Sequence, residues 1–158
     1  MMLTSPWLLL LLVLMIAVNG CSSIGLSGED SVLTVQSRYS VKETLDRLEV
    51  EIKQGNGIVF CRIDQKKAAE QVGIVGELDD TELILFGNPR VGTQLMVANG
   101  SVSIELPLRA SAWKRNGIVY LSLTNPKALE GPYNLGAKGE VLQKMKDNTV
   151  AMINKVSS

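Results

Sequence analysis

The sequence predicts an α+β domain whose strands and helices follow a β-α-β-β-β-β-α order with short extra helices. Three observations predict it. A capping box at Ser40 to Glu43 opens an apolar stripe at helical spacing, separate runs of β-branched and aromatic residues read as strands, and the C-terminal segment carries a second amphipathic stripe. With 46% hydrophobic and 20% charged residues among 158, the chain has the composition of one globular domain, placed at residues 32–158.

The elements follow in order. "VLTVQSRYS", Val32 to Ser40, alternates as a strand, with Val32, Thr34 and Gln36 on one side and Leu33 and Val35 on the other. "SVKE" then starts a helix in which Ser40 caps, Glu43 reaches back, and Val41, Leu45, Leu48 and Ile52 form the apolar stripe. Gly55-Asn56-Gly57 ends it, because glycine permits positive φ. "GIVFCRID", Gly57 to Asp64, is the second strand, and alternation puts Val59, Cys61 and Ile63 on one face, making Cys61 a buried thiol with Arg62 opposite. A short helix over "QKKAAEQVG" and a third strand at "TELILFG" come next, followed by a helix over "PRVGTQLMVAN".

Asn99 to Pro107 alternates like a strand after an Asn-Gly pair, yet Asn99 can equally cap a helical turn. "LPLRASAWKRNG" and "IVYLSLTNP" form a hairpin turning near Arg115-Asn116-Gly117, with Trp113 and Tyr120 as core or cross-strand packing partners. The last helix carries Leu142, Met145, Met152, Ile153 and Val156 along one stripe.

Residues 1–20 have no charged side chain. Their apolar run from Trp7 to Val18 would rise only about 18 Å as a helix, short of a hydrocarbon core about 30 Å thick, so the segment reads as a signal peptide. Val18-Asn19-Gly20-Cys21 resembles the bacterial lipoprotein signal, with Cys21 lipidated after cleavage; an uncleaved anchor is the alternative. Residues 21–31 then form the lipidated cysteine and a flexible tether. The expected location is the bacterial cell envelope, lipid-anchored, and at the outer membrane in a Gram-negative cell because Ser22 and not aspartate follows the cysteine. The membrane is thus the expected partner, through the lipid.

Chemistry is limited by what is missing. There is no histidine, which excludes Ser-His-Asp and Cys-His nucleophile systems and imidazole-based metal sites, and the two cysteines lie too far apart in organisation to share a thiolate cluster. No metal and no cofactor are expected. Sixteen basic residues balance sixteen acidic ones, which argues against nucleic acid as a partner. Glu77, Asp79, Asp80 and Glu82 read as a solvated acidic loop. Arg62, Lys66 and Lys67 cluster at the end of the second strand and offer an anion site.

"FGNPRVGTQLM" looks like a phosphate loop that lost its lysine, but Pro89 has no N–H and no lysine stands between Gly92 and Thr93. Asn88 as cap and Pro89 at the first helical position instead make a strand-to-helix corner, with Gly87 turning the chain off the strand. A small ligand at this corner would meet Asn88, Thr93 and Gln94, with Arg62 and Lys66 as anion partners. The most economical function is a membrane-tethered, non-catalytic binding or interaction domain. An enzyme using Asp64 and Lys66 is the alternative.

Four separated motifs, "IDQKKAAEQVGI" from Ile63, "FGNPRVGTQLM" from Phe86, "LPLRASAW" from Leu106 and "TNPKALEG" from Thr124, resemble the domain of unknown function 302 family in their order. The resemblance spans Arg38 to about Leu135. It implies a single antiparallel sheet packed against helices, in a TATA-binding-protein-like arrangement, commonly a homodimer, with Asn99 to Pro107 more helical than strand-like. Family members commonly carry His after the "ID" aspartate, where this chain has Gln65, and a further His after the last motif that is also missing. An imidazole-dependent activity therefore does not carry over.

Overall fold

The computed structural model describes residues 31–158. The expected signal peptide, Cys21 and the tether up to residue 30 lie outside the described residues. Five strands, β1 (Val32–Ser37), β2 (Ile58–Asp64), β3 (Thr81–Gly87), β4 (Leu108–Arg115) and β5 (Ile118–Thr124), form one antiparallel sheet in the order β1-β5-β4-β3-β2. Four helices, α1 (Val41–Gln54), α2 (Gln65–Gln71), α3 (Pro89–Ala98) and α4 (Gly139–Ser157), follow β1, β2, β3 and the β4–β5 hairpin in turn. The α+β class and element order are those expected, and Gly100–Glu105 is a 3₁₀ helix capped by Asn99, which resolves the ambiguous segment as helical.

Local signals set most boundaries. Ser40 Oγ accepts from the Glu43 N–H at 3.2 Å, while the Glu43 carboxylate engages Arg47 instead of completing the box. Asn116 and Gly117, at φ 52° and 81°, make the two-residue hairpin turn, which requires positive φ at both positions. Trp113 and Tyr120 pair across it with ring centroids 4.5 Å apart. At the end of α1 the positive φ falls on Asn56, at 57°, and not on a glycine. Gly57 is needed for a different reason: a Cβ there would lie 2.8 Å from Ile52 Cγ2.

The main core lies between α1, α4 and one sheet face. Leu45 and Leu48 of α1, Ile153 and Val156 of α4, and Ile84 and Leu121 of the sheet are essentially inaccessible. A second, smaller core joins Leu95, Val102, Leu129, Leu135 and Leu142, tying α3 and the 3₁₀ turns to α4.

One expectation about β2 fails. The strand shifts register between Val59 and Cys61, so Phe60 is an extra residue opposite β3 and the alternation changes phase there. Val59 still packs on the core, but Cys61 and Ile63 are exposed and Arg62 reaches α1. Cys61 is therefore a surface thiol, not a buried one.

Candidate functional site

The bulged strand, the β3–α3 corner and α4 enclose a groove of about 770 Å³. Ile52 at the end of α1, Phe60 of β2 and Phe86 of β3 form one wall. Val91 and Met96 of α3, with Leu106 and Pro107 before β4, form the second, and Met145 and Met152 of α4 the third. The corner is built as its residues dictate. Asn88 Oδ1 accepts from the Arg90 N–H at 3.0 Å, the Asn88 carbonyl accepts from Val91 and Gly92, and Pro89 brings no donor.

Gly87 and Gly92 frame the opening. Gly87 does not take a positive φ, so the turn itself does not require glycine. A Cβ at Gly87 would stand 3.8 Å from Pro107 and 3.9 Å from Phe60, and one at Gly92 would stand 3.8 Å from Leu106 Cδ1. Their hydrogens leave that space to the groove.

Of the expected binding residues, Asn88 and Thr93 line the groove and Gln94 does not; its Nε2 turns back to donate to the Arg90 carbonyl. Arg62 and Lys66 do not join them. The Arg62 fork donates to Glu82 at 2.6 Å, to Asp46 at 2.6 Å and to the Lys42 carbonyl at 3.1 Å. Burial alone would lower the Arg62 pKa, but the hydrogen bonds to Asp46 and Glu82 outweigh it and raise it. Lys66 Nζ donates to Asp80 at 2.8 Å, and that bond raises its pKa, opposite to what an amine base or nucleophile needs. Asp64 caps α2 by accepting from the Lys67 N–H at 2.8 Å. Arg62 and Lys66 thus engage Asp46, Glu82 and Asp80, and Glu82 is part of β3, not of the loop before it.

Sequence reasoning missed Phe60, Asn148 and the groove-facing part of Met145 and Met152. The signal was there in part, since Met145, Asn148 and Met152 recur at helical spacing, but a polar residue between two methionines on a core stripe reads as its margin. Among the described residues, no group of three or more His, Cys, Asp or Glu side chains is arranged to hold a metal, and no helix is long and apolar enough to cross a membrane.

The profile of the family described as "Domain of unknown function DUF302" matches residues 33–155. Two curated relatives are "Fluoride-specific ion channel FluC 1" of Brucella suis biovar 1 (strain 1330) and "Fluoride-specific ion channel FluC 2" of Brucella melitensis biotype 1. Each is 38% identical over 114 residues, which is 72% of this chain and 44% and 42% of theirs. The chain spans less than half the length of these relatives. Among solved structures, an uncharacterized conserved DUF302 protein from Bacillus stearothermophilus superposes with a TM-score of 0.74 at 20% identity, over 82% of this chain and 100% of that one. At that identity the likeness speaks for the fold.

Proposed function

This chain belongs to the DUF302 family, and from that starting point we propose that its folded domain is a non-catalytic binding module held at a membrane, with the groove at the β3–α3 corner as its ligand site. The groove carries the reading. It is concave, largely apolar and within the roughly 300–1,000 Å³ of small-molecule sites, and it has a few neutral polar groups at its edge.

The names of the relatives and the sequence pattern around Cys21 support this reading of membrane attachment. The relatives are named as ion channels, so part of their length must enter a bilayer, while the portion they share with this chain matches a domain with no spanning helix among its described residues. In this chain, a lipid on Cys21 at the end of a short tether would hold the same kind of domain at the same kind of surface, in the cell envelope.

The test has two arms. Cells expressing the full chain should incorporate radiolabelled palmitate, and Cys21→Ala should lose the label and leave the membrane fraction; label that persists defeats the anchor. An uncharged photoreactive hydrocarbon, with labelled residues located by mass spectrometry, should mark groove residues. Gly92→Leu should abolish that labelling while leaving the melting temperature unchanged or higher, because leucine favours a helix over glycine by up to about 1 kcal/mol. Labelling spread evenly over the surface, or indifferent to Gly92→Leu, defeats the ligand site.

A further inference from the structure

We infer that the groove selects a single-chain amphiphile with an uncharged hydrogen-bonding head, of the monoacylglycerol type, over fatty acids and phosphate esters. The inference rests on the groove being a ligand site and adds what the ligand must be.

The body of the ligand follows from shape and lining. Along α4 the groove extends from Met145 to Lys155, which is about 15 Å of helix rise, so it is a trench and not a round cavity. Met96, Met145 and Met152 look into it beside Phe60 and Phe86. Unbranched thioether side chains repack around a flexible chain at small cost, which suits a linear hydrocarbon of variable length.

The head follows from charge. Among the described residues, Glu51 and Lys155 are the only charged side chains along the trench, and they pair with each other at 2.7 Å. A charged head of either sign would have to break this pair to gain its own partner and would leave the like-charged member beside it, whereas a neutral head leaves the pair intact. The first turn of α3 offers an anion nothing: its Arg90, Val91 and Gly92 donors are engaged by Asn88, and Pro89 has none. What remains is neutral. Asn88 and the solvent-exposed Gln54, Thr93 and Asn148 line the trench, and their amide and hydroxyl groups match hydroxyl or ester groups.

The experiment uses the full chain in native membranes with a diazirine-bearing monoacylglycerol, mapping labelled peptides by mass spectrometry. Unlabelled 1-monopalmitoylglycerol should suppress labelling of the Phe60, Met145 and Met152 peptides at a concentration at least tenfold below that needed with palmitate or palmitoyl phosphate. Glu51→Gln should narrow that ratio severalfold by removing the repelling carboxylate. Palmitate or the phosphate ester competing equally well overturns the inference and leaves the ligand site standing. Absence of groove labelling by both this probe and the uncharged hydrocarbon overturns the ligand site along with it.

Discussion

The two ends of the β2–β3 pair are built in opposite ways under the same helix. Near the start of α1, Arg62 bridges the strands to the helix through Glu82 and Asp46, and the layer is closed by ionic and hydrogen-bonded contacts. Near its end, Ile52, Phe60, Phe86 and Gly87 line the groove, and the layer opens there. The charged end looks like a row of free cations in sequence, and its Arg62 and Lys66 are paired with Asp46, Glu82 and Asp80. The apolar end looks structural and holds the space.

Comparing truncations in the closed core with truncations in the groove wall is the sharpest way to break this contrast. Leu48 is fully inaccessible, so Leu48→Ala should cost about 2–5 kcal/mol in denaturant unfolding. Met152 is half-buried and has open space on one side, so Met152→Ala should cost less than half as much, because no new enclosed cavity forms. Equal costs would mean that the groove is closed core in solution.

Next in size is the Arg62 bridge. With 23% of the Arg62 side chain and 18% of that of Glu82 exposed, Arg62→Met leaves a largely buried carboxylate without its partner and should cost about 1–3 kcal/mol. Arg62→Lys should recover only part of it, since one ammonium cannot reproduce a fork aimed at two carboxylates and a carbonyl. Lys66→Met, in an exposed pair, should leave the unfolding midpoint within error. If groove labelling survives Arg62→Met in folded protein, the two ends are independent; if it is lost, the bridge also holds the groove in shape.

How much of this was legible depends on the range over which each signal acts. Ser40, Asn88-Pro89 and Asn116-Gly117 work within three or four residues, and each was readable from the chain and is found in place, whereas at Asn99 a hairpin-type Asn-Gly pair competed with the cap and left the segment open. The bulge at Phe60 was not, because Ile58 to Cys61 is apolar throughout and carries no glycine to mark a change of phase; the error moved Cys61 to the wrong face. The partners of Arg62 lie 16 and 20 residues away on other elements, so its cationic cluster looked unpaired. The groove needed still more: Met145 and Met152 had to be brought to a corner formed around Asn88, and a stripe along one helix does not say which part of it faces a neighbour.

The smallest effect expected to be measurable concerns acid, and it separates the ends by titration. The hydrogen bond from Lys42, followed by that from Arg62, holds the Asp46 pKa below its ordinary value. A carboxylate depressed in the folded state contributes stability above its unfolded pKa of about 3.9, and the contribution is lost as pH falls through the lower folded value, where the native state finally takes up the proton. Wild type should therefore exceed Asp46→Asn in denaturant midpoint at pH 7, and the gap should close as pH is lowered below about 4. Nearly half of the Asp46 side chain is exposed, so the gap should be modest and should shrink in 1 M salt. A gap that stays constant from pH 7 to pH 2 would mean that Asp46 acts through packing and not through its charge, and the closed end would then resemble the open one more than its ion pairs suggest.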